Sequence, residues 1–305
     1  MEMATKKKKM SKTRILFILF GITLPIIQWL VFYVYTNFSS VLMAFTSDEG
    51  RISLDNFVRF FEEMQLPTSH LRIAFRNTFL TFGILFVTYP FKVLVSYFIY
   101  KKVPFYGFYR IVFFLPGIVF SVAWTLIFTQ VIGVDGAIAK MVQEWLNLDY
   151  TPELLADSRF ANTVVLLNMM WLGFPGDLII WGGTFARIPE EVLESGKIDG
   201  VTWWTEFTQI IVPMVWPTVG LQMVLMFANI FGSTGNVFLL TRGMYDTMTV
   251  NSWLYLSVYN STGNKFTSNV FNYMSAVGLI LTTISITISL FVRKFSDKLF
   301  EEVEY

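Results

Sequence analysis

The 305-residue chain contains no cysteine and a single histidine, His70. The first absence excludes disulfide frameworks, thiolate zinc sites, iron–sulfur clusters and cysteine nucleophiles, and it leaves no mark of redox compartment. The second excludes a histidine-built metal site. Charge is also scarce: Asp, Glu, Lys and Arg make up 15% of the residues, against about 25% in soluble domains. The net charge of +1 provides no basic excess to neutralise phosphates, so no nucleic-acid partner is expected. The sequence holds no G-x-x-x-x-G-K-[ST] cradle, no G-x-S-x-G and no H-E-x-x-H. Neither a bound nucleotide nor hydrolase chemistry is therefore expected of this chain, which is read as neither an enzyme nor a cofactor carrier.

What is abundant is apolar. Hydrophobic residues account for 54%, with 32 Phe, 9 Trp and 13 Tyr, and the mean hydropathy is +0.55. That leaves too little polar surface to cover a water-soluble globule. Runs of the roughly 20 apolar residues needed to cross a bilayer as a helix occur six times, over 15–35, 79–100, 111–131, 162–185, 215–240 and 270–292. The first is expected to remain as an uncleaved helix, because it is too long for a signal-peptide core and no small-x-small site follows Tyr35. With the N-terminus in the cytoplasm, fourteen Lys and Arg residues fall on the inner side, Lys6 to Lys9 and the Lys101–Lys102 pair among them, and eight on the outer. This asymmetry places both termini in the cytoplasm. The expected division is a basic N-terminus over 1–14, one six-helix membrane domain over 15–292 and a tail over 293–305.

The outer loop over 132–161 carries Ile138, Met141, Val142, Trp145 and Leu146 at helical spacing. The spacing predicts an amphipathic helix, either a cap on the spans or a docking surface for an external partner. Ionisable groups inside the spans are few, mainly Lys92 and Asp177, whereas ion-coupled carriers commonly place several there. Lys92 lies two turns from Lys101 and is expected to snorkel to the inner headgroups. A pump of this composition must draw its energy from another subunit.

The inner loop between the fourth and fifth spans, about 187–213, is the most informative segment. Pro189 suits a first helical position, and Glu190, Glu191 and Glu194 favour the positive end of a helix. Asp199-Gly200 marks a turn, and Trp203, Trp204 and Phe207 begin a second segment that reaches Pro213 and Pro217. An interfacial helix pinned by tryptophans accounts for the aromatics. It does not account for the acidic helix before them.

This loop resembles the signature of permease subunits of bacterial binding-protein-dependent ABC importers, E-A-A, three residues, Gly, nine residues, I-x-L-P. Glu194-Ser195-Gly196 stands at E-A-A, Gly200 at the glycine, Ile210 at the isoleucine and Val212-Pro213 at L-P, with every spacing matched. Ser195, Gly196 and Val212 depart from the pattern, and a helical glycine in place of alanine loosens a helix by up to ~1 kcal/mol. Asn77-Thr78, Arg110 to Pro116, Ile188-Pro189, Ile198-Asp199-Gly200 and Thr241-Arg-Gly243 resemble the carbohydrate, maltose-permease-like branch, although the glycine-rich stretch usual after the fifth span is degraded to Arg242–Asp246.

The resemblance implies an all-α polytopic protein with six transmembrane helices and a cytoplasmic coupling helix between the fourth and fifth. It implies ATP-driven import of a carbohydrate, an oligosaccharide or related sugar, with ATP and Mg held by two separate ATPase subunits. A second homologous permease and an extracytoplasmic solute-binding protein complete the implied assembly in the bacterial plasma membrane. The ATPase-coupling role falls on Glu190, Glu191, Glu194, Ser195, Gly196, Asp199, Gly200 and Pro213. A permease for another solute, such as glycerol phosphate or a peptide, and a non-transporting scaffold or sensor remain as other readings.

Substrate-path candidates come from spans four and five. Gly173, Pro175 and Gly176 predict a kink, and Asp177, about 12 Å from the inner end by helical rise, reads as an acceptor for sugar hydroxyls or as a structural contact. Trp171 and Trp181 offer ring faces for sugars or for packing. Asn229, Ser233 and Asn236 fit a polar path or hydrogen bonds between helices.

Overall fold

The computed structural model describes residues 11–232, 236–261 and 267–299. Regular structure among these residues is helical, apart from one isolated antiparallel bridge between Thr46 and Ile52. In chain order the helices are α1 (Lys12–Trp29), α2 (Thr36–Ala44), α3 (Asp55–Gln65), α4 (His70–Tyr100), α5 (Tyr106–Ile118), α6 (Ser121–Ile132), α7 (Ala137–Trp145), α8 (Ala161–Leu172) and α9 (Phe174–Phe185). They continue with α10 (Glu190–Ile198), α11 (Trp203–Thr205), α12 (Val212–Ala228), α13 (Val237–Leu240), α14 (Val250–Ser261) and α15 (Thr267–Leu299). Short π-helical stretches, Leu30–Tyr35 and Glu206–Ile211, lead into α2 and α12. Among the described residues six segments are long and apolar enough to cross a membrane, and the chain is a multi-pass membrane protein.

Two compact units are distinguished, residues 1–60 with 261–279, and residues 61–260 with 280–305. In the first, α1, the π stretch and α2 form a continuous helical run whose described residues from Leu16 to Phe38 are all exposed. A run this apolar with no protein cover requires lipid around it. At its end Asn56 donates to the carbonyls of Ala44 and Thr46, at 3.2 and 2.9 Å, and the Arg59 guanidinium lies 4.3 Å from the Tyr273 ring centre.

The second unit holds the larger core. α4 starts at Ser69, whose hydroxyl accepts from the Leu71 amide at 3.1 Å. Tyr89, Val93 and Tyr97 of this helix pack with Trp181 and Phe185 of α9, Leu193 of α10, and Phe207, Ile211, Val215 and Val219 from the segment leading through α12. A smaller cluster of Ile132, Ala139, Leu154 and Val164 holds α7, so the amphipathic helix expected over the 132–161 loop is present.

Three expected spans differ in detail. The third, expected over 111–131, is shared between α5 and α6, which break at Val119 and Phe120 just after Pro116. The fourth divides at Gly173 into α8 and α9, as the glycine and proline content predicts, and the Pro175 ring rests where a Gly117 side chain would stand. The fifth, expected to reach 240, ends as a helix at Ala228 and turns through Asn229 to Gly232. At the other end of the chain α15 continues to Leu299, past the expected tail boundary at 292.

Candidate functional site

The loop over 187–213 folds as a helical elbow. α10 carries Glu190 and Glu191 in its first turn and Lys197 in its last, so both ends complement the helix dipole. It closes in a Schellman motif: the Val201 amide donates to the Gly196 carbonyl at 3.0 Å and the Gly200 amide to the Lys197 carbonyl at 3.1 Å. Gly200 supplies the left-handed φ of 71° that the motif requires. Thr202 then caps the returning segment, its hydroxyl accepting from the Thr205 amide at 3.3 Å, and Pro213 lies in the first turn of α12.

The two faces of α10 are chemically opposite. Leu193 and Gly196 are buried, and a Cβ at Gly196 would stand 3.2 Å from Ile210 Cδ1. The absence of a side chain at the third signature position thus lets the α10 backbone pack closely on Ile210, which restrains the helix that a glycine would loosen in isolation. On the other side Glu190, Glu191, Glu194, Ser195 and Asp199 are exposed. None of these four carboxylates is in an ion pair among the described residues. A shallow groove lined by Glu191, Ser195, Gly196, Asp199, Val201 and Ile210 runs along this side, and Ile198 stands 85% exposed at the tip.

The elbow is joined to the spans by apolar packing and one buried polar knot. Leu193 and Ile188 belong to the same core as Tyr89, Val93, Trp181 and Val215. Glu206, buried at the start of the π stretch, accepts from Lys101 Nζ at 2.7 Å and from the Tyr97 hydroxyl at 3.1 Å. This cluster escaped the sequence reading. Its signal was an acid among tryptophans and phenylalanines, the same signal that singled out Asp177. Glu206→Leu leaves the Tyr97 hydroxyl and the Lys101 ammonium without their acceptor, with an expected loss of about 2 kcal/mol. Faster trypsin cleavage at Arg187 and Lys197 than in the unaltered protein is the readout.

The substrate-path candidates divide. Lys92 does not snorkel: it is 6% exposed, and its Nζ donates to Asp177 Oδ2 at 2.9 Å and to the Gly173 carbonyl at 3.2 Å. The acid on α9 lies within reach, and the break at Gly173 frees a carbonyl that an unbroken helix would have used. Asp177 is therefore an ion-pair partner, the structural contact of the two roles open to it. A Cβ at Gly173 would lie 2.7 Å from Lys92 Nζ, so this glycine admits the ammonium. Trp181 is fully buried against Tyr89 and Phe185 and offers no face to a ligand, because its helix turns it into the core. Asn236 donates to Thr125 at 3.2 Å and to Asn168 at 3.3 Å, a contact between helices. Trp171 and Asn229 remain exposed. Ser233 lies outside the described residues.

Two sequence segments far apart in the chain come together. Asn77 Nδ2 donates to the carbonyls of Asp246 and Met248, and Thr78 Oγ1 accepts from the Val250 amide at 2.9 Å. They hold a tight turn in which Arg242, Gly243, Tyr245 and Asp246 all have positive φ. Three of the four are not glycine, so local conformation alone would not select this path, and the bonds from α4 supply the missing preference.

No protein-family model matches the sequence. The chain is 23% identical over 278 residues to the multiple sugar-binding transport system permease protein MsmF of Streptococcus mutans, covering 90% of this chain and 93% of that one. It is 31% identical over 135 residues to the maltose/maltodextrin transport system permease protein MalF of Vibrio parahaemolyticus, 44% of this chain but 26% of that longer one. In structure it is similar to a chain of the bacterial alginate ABC transporter in complex with alginate pentasaccharide-bound periplasmic protein, with a TM-score of 0.77, 20% identity and coverage of 94% and 96%. The fold is that of the matched chain of this bacterial alginate ABC transporter. The sequence is similar, along most of its length, to a permease protein of a multiple sugar-binding transport system.

Proposed function

We propose that this chain is the membrane-spanning permease subunit of an ATP-driven carbohydrate importer and that α10 is its coupling helix. The observation that carries the reading is the two-sidedness of α10: exposed, unpaired carboxylates on one face, and on the other a core shared with α4, α9 and α12. A short helix held this way transmits displacement, because close-packed cores shift as units. Acidic side chains that lack ion-pair partners among the described residues suit basic groups on another polypeptide. Similarity to MsmF and MalF, and to the fold of the alginate transporter, supports the carbohydrate class.

The proposed assembly pairs this chain with a second homologous permease, two ATPase subunits and an extracytoplasmic binding protein that delivers the sugar. ATP and Mg belong to the ATPases. Both termini and α10 lie on the cytoplasmic side, as the basic asymmetry supports. ATP-driven closure of the ATPases draws α10, and with it α9 and α12, so that access to the path alternates. Of the path candidates, Trp171 and Asn229 keep their exposed positions as sugar contacts. The test is uptake into proteoliposomes holding the complete complex with its binding protein. ATP-dependent accumulation of an oligosaccharide is expected; ATP hydrolysis without accumulation of any sugar would favour the scaffold reading.

A further inference from the structure

We propose that a groove between α4, α5 and α9 binds one anionic phospholipid of the inner leaflet. The groove encloses about 470 Å³ and is lined by Tyr100, Lys102, Tyr106 and Arg110 at one end, and by Phe114, Leu178 and Ile179 at the other, over Gly182 and Gly183. Its polar end lies where α4 stops, the level at which a spanning helix leaves hydrocarbon for headgroups. Phe114 is one turn beyond Arg110, and Ile179 one turn from Gly183, so the apolar part runs about 6 Å deeper at the helical rise. A Cβ built at Gly182 or Gly183 would meet no atom within 4 Å. The glycines leave the floor open, and no side chain among the described residues stands against it there.

Two independent features specify an anionic headgroup. Lys102 and Arg110 are both exposed and neither has an ion-pair partner among the described residues. Together they present two cations with the Tyr100 and Tyr106 hydroxyls beside them, which suits a headgroup of net negative charge better than a zwitterionic one whose own cation they would repel. The second feature is backbone strain. α4 ends in the same motif as α10: Val103 donates to the Phe98 carbonyl at 3.3 Å and Lys102 to the Ile99 carbonyl at 3.2 Å. The residue in the left-handed position is Gly200 at the end of α10, and at the end of α4 it is Lys102, with φ of 51°. Local conformation favours glycine there, yet the position holds a lysine, whose side chain lines the groove.

The inference rests on the proposed orientation for its choice of leaflet. The experiment uses the complete detergent-purified complex with added dioleoyl phosphatidylglycerol or phosphatidylcholine, and reads retained lipid per chain by native mass spectrometry. Selective retention of one phosphatidylglycerol, by at least tenfold, is expected. Lys102→Gly with Arg110→Gln should abolish the selectivity, while the lysine-to-glycine change leaves the lipid-free melting temperature unchanged or higher. Gly182→Leu, which fills the floor with both cations intact, should lose the same lipid. Equal retention of phosphatidylcholine, no retained lipid, or retention unmoved by both sets of changes would overturn the proposal. The cysteine-free chain allows Pro104→Cys to be labelled by an impermeant maleimide, and labelling from outside would refute the inner leaflet. Retention is read without sugar or ATP, so failure of carbohydrate uptake alone leaves this result standing.

Discussion

Glu194→Lys is expected to abolish most ATP-driven uptake while the protein still inserts and folds. Glu194 is exposed on the outer side of α10, so reversing its charge disturbs no core contact and should change stability by no more than about 0.5 kcal/mol. Its proposed partner is a basic group of an ATPase subunit. Loss of a charge-assisted contact, compounded by repulsion, weakens docking by about 2 kcal/mol or more, which is about thirtyfold in affinity. Co-purification of the ATPase measures the affinity, and proteoliposome uptake measures coupling. Glu62→Lys, an equal reversal at an exposed position on α3, serves as the control and should leave both unchanged. If Glu194→Lys leaves docking and uptake intact, α10 is not the coupling helix.

Lys92→Met should produce the largest loss of stability, about 3 kcal/mol, by leaving the Asp177 carboxylate beside apolar groups without its ammonium. The Asp177 side chain keeps 19% of its exposure, which argues for the lower end of the range for broken buried pairs. Adding Asp177→Leu to Lys92→Met should restore most of the loss, because the double change removes both charges and fills similar volume. Thermal unfolding of the detergent-solubilised protein measures both variants against the unaltered chain. A double variant no more stable than Lys92→Met would show that the pair carries no interaction energy. If the stable double variant also transports with unaltered KM, Asp177 has no part in sugar binding.

The loop over 187–213 was legible because its information is local. A turn at Asp199-Gly200, acids at the start of a helix and a proline beyond it each act within a few residues, and the elbow forms where they stand. The kink in span four was legible for the same reason, through Gly173 and Pro175. Lys92 was misread, and Trp181 and Asn236 were left between two roles, because what these residues do is set by partners far along the chain. Lys92 meets Asp177 85 positions away, and Asn236 meets Thr125 across 111. Helical periodicity says which residues share a face, but not which face meets which helix. In a chain with this many aromatics, composition cannot separate a tryptophan that packs from one that faces a path. Glu206 was hidden in the same way, since its partners sit at the end of α4.

The sequence by itself determined that the chain crosses a membrane, that six segments are long and apolar enough to do so, where the loop that resembles a coupling signature lies and that no nucleotide cradle is present. These follow from hydropathy and from short-range backbone chemistry, which need no knowledge of neighbours. Only the tertiary structure decided that the lysine and aspartate within the spans pair with each other, that Gly196 packs closely on Ile210, and that Asn77 and Thr78 hold the turn over 241–250. It also separated the unpaired carboxylates of α10 from the buried one at Glu206. The physical reason is that a charge or a missing side chain takes its meaning from the atoms packed against it, and in this protein those atoms come from other helices.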